Sequence, residues 1–180
     1  ARSEARLTTA DWTPSSRRAR TKRRSKGVTV PAARRRGALE VARRIKPGMR
    51  VALTTHVNAD GDGAGSEVAL WQLLTARGIR AAITNPTPFP DRYSFLLSGI
   101  EQADKSSEAV KHIRRADLVV VLDIADLGRL GQLSGAVRER GVPVACIDHH
   151  ATDGTLPEGP RLVDEHACAT AWHRAARNRD

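Results

Sequence analysis

Asp117-Leu118-Val119-Val120-Val121-Leu122 is the clearest strand in the chain, an apolar run that opens on one acid and is followed by another, Asp123. On its N-terminal side, residues 51–55 form another apolar strand, followed by Val68, Ala69, Leu70, Leu73 and Leu74. Those five predict a helix over 64–76, stopped by Gly78. A strand over 79–83 comes next, then a loop over 85–90, where three prolines at alternate positions deny helix and central strand. Nearer the N-terminus, Leu39, Val41, Ala42 and Ile45 suit a helix ending near Pro47-Gly48. On the C-terminal side the pattern predicts a helix over 130–140, strands over 142–147 and 161–163, and a helix that starts at 171 and soon turns polar. Strands alternating with helices predict an α/β domain with a mainly parallel sheet flanked by helices. In such sheets functional residues gather beyond the carboxyl ends of the strands.

Charge divides the chain. Residues 1–50 hold sixteen Lys or Arg against three Asp or Glu, while residues 51–180 are net −3, so the overall +10 belongs to a leader. Residues 1–32 have too few apolar groups to offset ordering entropy and are expected to be a disordered basic leader, with the folded domain over 33–180. Such a leader can bind nucleic-acid phosphates electrostatically, or be a solvated extension or translated sequence upstream of the real start. The absence of stacking aromatics within the basic run over 17–26 favours the latter two. No apolar run reaches membrane-spanning length. Cys146 and Cys168 form no CxxC pair and read as reduced thiols, which points to the cytoplasm.

Four short motifs carry the chemistry, and each follows an apolar run. The first, His56-Val57-Asn58-Ala59-Asp60-Gly61-Asp62-Gly63-Ala64-Gly65-Ser66, sets an imidazole and two carboxylates on a glycine-rich turn. It is no calcium-binding EF-hand, because Ala69 stands where the bidentate carboxylate belongs and a strand precedes it. It is no dinucleotide fingerprint, because Ser66 stands at the third glycine position. A glycine turn with solvated acids stays open for this motif alone. The second motif places Asp123 at the rim of the central strand, where it can ligate or bridge ions. Asp126, ahead of Gly128-Arg129, reads as a helix cap. The third is Asp148-His149-His150 and the fourth runs from Asp164 to Thr170. Together they offer oxygen ligands with one or two imidazoles, a set that suits Mn²⁺ or Mg²⁺ better than zinc or copper.

In this order the motifs resemble the DHH phosphoesterases, which include RecJ exonucleases, oligoribonucleases, exopolyphosphatases and manganese pyrophosphatases. Asp148-His149-His150 is similar to the signature triplet itself. The resemblance implies His56, Asp60 and Asp123 on one Mn²⁺, and Asp62, Asp123, His149 and Asp164 on a second, with Asp123 bridging. It implies His150 on the substrate phosphate, Asp148 orienting the histidines, and Asn58, Asp126, Arg129 and Thr170 in supporting positions. Residues 85–97, with Tyr93 and Phe95, look like the oligoribonuclease and 3′-phosphoadenosine-5′-phosphate phosphatase branch, often called NrnA-like. Family members more often carry Ala at the position of Gly63, a change expected to matter little. Members also continue past the fourth motif into a second, substrate-binding domain, and the full-length form is expected to be a homodimer. Here residues 172–180 are polar and basic, so the expectation is a truncated domain without that partner.

The function expected from these residues is manganese-dependent hydrolysis of short oligoribonucleotides or nucleoside 3′,5′-bisphosphate, with Mg²⁺ as the other candidate ion. RecJ-like single-strand exonuclease and pyrophosphatase are the alternatives within the enzyme class. An inactive fragment that binds nucleic acid through its basic leader is the alternative outside it.

Overall fold

The computed structural model describes residues 30–124, 126–151 and 158–170. Their elements run α1 (Ala32–Arg44), β1 (Arg50–Thr54), α2 (Gly61–Thr75), β2 (Arg80–Ile83), α3 (Ala109–Arg115), β3 (Leu118–Leu122), α4 (Leu133–Arg140), β4 (Val144–Asp148) and β5 (Arg161–Val163). Single 3₁₀ segments span Asp91–Leu97, Glu101–Ala103, Ser106–Glu108 and Leu127–Leu130. The disordered leader expected over 1–32 lies outside the described residues as far as Thr29, and α1 begins at Ala32. The helix expected from residue 171 also lies outside them.

All five strands are parallel, in the order β2-β1-β3-β4-β5. Alternation along β3 explains why its sequence is apolar throughout. Val119 and Val121 pack with Ile113 of α3 and Leu133 and Val137 of α4. Leu118, Val120 and Leu122 pack on the opposite face with Val41 of α1 and Leu74 of α2. A strand covered on both faces has no polar side to show. Cys146 of β4 belongs to the α3–α4 layer, and burial, then the nearby Asp148 charge, push its thiol up to about 12.

α1 lies against β5 at unusually short range. Gly37 is buried there, and a Cβ at this position would sit 2.9 Å from the Arg161 carbonyl oxygen and 3.1 Å from Leu162 Cα. Strand order reverses at β1, whose neighbours β2 and β3 extend the sheet in opposite directions. Ligand sites in doubly wound sheets form beyond the carboxyl ends at such a reversal. Here those ends lead directly to His56 after β1 and Asp123 after β3. Among the described residues no helix is long and apolar enough to cross a membrane.

Candidate metal centre

β1 runs through the buried Thr54 and Thr55 into His56, which is 7% exposed. The chain then turns at Asn58, with φ of 56°, and Asp60 caps α2. One Asp60 oxygen accepts the amides of Asp62 (2.9 Å) and Gly63 (3.0 Å). Burial alone would raise the Asp60 pKa, but these amides and the neighbouring His56 and Arg129 hold it below the ordinary carboxylate value. Asp62, in the first turn of α2, accepts the Thr170 amide at 2.6 Å. Asp123 leaves β3 with φ of 60°, is 1% exposed, and accepts the Thr170 hydroxyl at 3.1 Å. Burial raises its pKa, and the charges of Asp62 and Asp60 raise it further.

The Asp123 carboxylate points two ways. Its Oδ2 lies 3.8 Å from His56 Nε2, which is itself 3.9 Å from Asp60. Its Oδ1 lies 3.5 Å from His149 Nε2 and 3.5 Å from His150 Nδ1. His149 Nε2 is also 3.4 Å from Asp62. Most of these gaps are too long for a good hydrogen bond. They match two donors on one divalent ion, which bond lengths of about 2.1 Å place roughly 3–4 Å apart.

The imidazoles are turned for this purpose. His56 Nδ1 lies 2.9 Å from the Val57 carbonyl, and His149 Nδ1 lies 3.2 Å from that of Ala167. A carbonyl only accepts, so each Nδ1 is the donor, which leaves each Nε2 facing the carboxylates as the atom that would ligate an ion. Fully buried Asp148 accepts the amides of His149 (2.7 Å) and His150 (3.2 Å), and its Oδ1 also meets His150 Nδ1 at 2.7 Å. That carboxylate fixes both histidines by their backbone and one by its ring.

Two donor groups able to hold an ion therefore form around one carboxylate: His56, Asp60 and Asp123, and Asp123, His149 and His150. The DHH family, N-terminal domain, matches residues 50–172. This chain belongs to the DHH family. A solved exopolyphosphatase-related protein from Bacteroides fragilis is similar to it over 76% of this chain and 41% of its own, at 21% identity and a TM-score of 0.65. A RecJ exonuclease bound to manganese is 20% identical, with a TM-score of 0.49 over 82% of this chain and 37% of its own. A RecJ in complex with Mn²⁺ from Thermus thermophilus is 17% identical, with a TM-score of 0.49 over 80% of this chain and 20% of its own. The chain thus spans less than half the length of each.

Some expected DHH site residues lie elsewhere. Asp164, expected on the second ion, does not join either donor group; its Oδ2 accepts Arg34 Nε at 2.7 Å, because α1 seats Arg34 against the end of β5. Asp126 is exposed and caps the 3₁₀ turn through the Gly128 amide at 2.8 Å. Asn58 and Arg129 are exposed: the Asn58 amide donates to Thr87 Oγ1, the Arg129 carbonyl accepts from Val57, and the Arg129 charge acts on Asp60. Gly63 is less neutral than expected, since a Cβ there would meet Thr55 Oγ1 at 2.6 Å and Thr55 Cγ2 at 3.2 Å.

The support beneath the first loop is built from residues that carry no motif in the sequence. Asn85 accepts the Thr55 amide at 3.1 Å and donates to the fully buried Glu67 at 2.9 Å, tying β1, α2 and the proline loop together directly under His56. A single acid within the apolar run of α2 was the only signal.

Proposed function

We propose that this DHH domain hydrolyses phosphoester bonds with two divalent ions held beyond the carboxyl edge of its sheet. The observation that carries this reading is the Asp123 carboxylate, whose two oxygens face separate donor groups. The donor chemistry fits: carboxylate oxygens with imidazole nitrogens suit Mn²⁺ or Mg²⁺. The electrostatics fit too, since a buried acid crowded by two others is relieved by a bound cation. His56, Asp60 and Asp123 would hold one ion; Asp62, Asp123 and His149 would hold the other. His150 has the most exposed side chain of the three histidines, at 40%, and with its ring steadied by Asp148 it would face the substrate phosphate. Two bound ions supply an activated water and neutralise phosphoryl oxygens. The substrates proposed are short oligoribonucleotides or nucleoside 3′,5′-bisphosphates in the cytoplasm, on the resemblance of residues 85–97.

The test uses the purified chain with bis(p-nitrophenyl) phosphate, an activated diester that needs little positioning. Slow hydrolysis dependent on Mn²⁺ is expected, with two ions bound by calorimetry. Asp123→Ala should abolish turnover and high-occupancy binding at both positions. A variant that still binds two Mn²⁺ would remove the shared-ligand role, and hydrolysis indifferent to chelator would remove the metal-dependent reading. Rates on a dinucleotide, a nucleoside bisphosphate and pyrophosphate then separate the substrate classes.

A further inference from the structure

α3 and α4 cover one face of the sheet only in part. Ala52 of β1 belongs to their apolar layer, but among the described residues nothing from β2 does. The strip left open is a groove of about 380 Å³ over the first residues of β1 and β2. Register builds it: Arg50 pairs with Arg80 and Ala52 with Ala82, and residues two apart share a face of the sheet. A pair of arginines and a pair of alanines therefore lie along one face. Lys105, His112 and Arg115 complete the rim, and no acid lines the groove among the described residues.

The charges of this rim are only partly neutralised. Asp117 accepts Arg50 Nη2 at 2.9 Å and the Arg50 amide at 2.8 Å, bonds that bring its carboxyl down to about 2. Arg80 donates to the uncharged Gly48 carbonyl at 2.7 Å, and its charge adds to that of Arg50 on the same Asp117. Glu108 accepts Lys111 at 2.6 Å and lies 3.8 Å from His112. The Arg115 charge reaches Glu108 without an ion pair, and Lys105 has no ion pair among the described residues. Like charges directly opposite on neighbouring strands destabilise a sheet, and a bound anion relieves this.

We propose that this groove is a second ligand site, for a small organic phosphate of mononucleotide size, at the end of the sheet opposite the metal centre. Charge and volume select the class. Arginine forks match phosphate oxygens, and the alanine floor leaves room for the organic part. The volume lies within the range of about 300–1,000 Å³ of small-molecule pockets. Residues 51–180 are net −3, so the attraction is local to the groove and not general to the domain. The site does not depend on the two-ion reading, since none of the residues of the two donor groups lines it.

The test is calorimetry of the full chain with 5′-AMP in chelator, which keeps metals from holding phosphate at the other edge. Lys105→Gln/Arg115→Gln should weaken binding by about tenfold or more, the loss of two charge-assisted contacts. Ala82→Leu, which fills the floor and leaves the charge unchanged, should do the same. Arg35→Gln removes an exposed charge on α1, which packs at the β5 edge, and should leave binding unchanged. If Ala82→Leu does not fold, Gln102→Glu is read instead: it sets an acid on the rim at an exposed position and must weaken 5′-AMP to the same degree. Binding that survives these groove variants, or falls equally in Arg35→Gln, would overturn the proposal and assign phosphate to diffuse charge, the basic N-terminal residues included. A wild type that binds no 5′-AMP at millimolar concentration, or binds a single-stranded oligonucleotide in its place, would overturn it as well.

Discussion

Glu67 has no exposed surface, its Oε2 accepts from Asn85, and its Oε1 has no partner among the described residues. Burial lifts its pKa well above the ordinary 4.5, against the opposing Asn85 hydrogen bond. The sign follows directly. Its stabilising contribution is complete below pH 4.5 and is lost as pH rises toward the folded pKa, because there the unfolded chain releases a proton that the folded one keeps. Glu67→Gln removes that loss while keeping the shape and the Asn85 contact. Its stability should therefore gain on wild type by up to about 1.4 kcal/mol per pH unit over this window. Urea unfolding at a series of pH values checks this, and a constant difference would mean that Glu67 is ionised. At this scale the sequence showed what chemistry a residue could do but not which way it faced. His56 and Asp123 were legible because each directly follows an apolar strand. Arg34 was not, because one inward residue in a basic run looks like its exposed neighbours until the helix is placed on β5.

The elements were legible where periodicity was strong. β1, β2, β3 and β5 fall within a residue of the spans expected from their apolar runs. β4 starts at Val144 rather than at 142, since Pro143 has no amide for a ladder. α2 starts at Gly61, three residues before its apolar set, because the Asp60 cap reaches back over the glycine turn. α3 and the 3₁₀ segments between β2 and β3 were missed, since residues 98–116 mix polar and apolar groups without a clear period. The contact between α1 and β5 gives a test at this level. Alanine in a helix gains about 1 kcal/mol over glycine, but overpacking against backbone costs roughly 1–3 kcal/mol. Gly37→Ala places its Cβ against two backbone atoms of β5, which cannot rotate away, so a net loss of stability is expected in denaturant unfolding. A gain would show that α1 shifts freely on the sheet.

In the molecule as a whole, four of the five strands deliver acids or histidines to one edge, and three carboxylates, Asp60, Asp62 and Asp123, crowd there. Like charges held together by folding oppose it, so an ion at this edge should act as a brace. Saturating Mn²⁺ at a hundred times its dissociation constant should add about 2.7 kcal/mol per independent site. Thermal unfolding with Mn²⁺ and with chelator measures this, and coincident curves would mean that the edge holds no ion in solution. The two cysteines can follow the same brace chemically. Cys168 is exposed, so a thiol reagent should label it at once. Cys146 lies within β4 two residues before Asp148, with a thiol pushed to about 12, and can react only when the sheet parts. Its labelling rate is therefore a clock for opening of the strand that carries the Asp148-His149-His150 triplet, and Mn²⁺ should slow that clock while leaving Cys168 untouched.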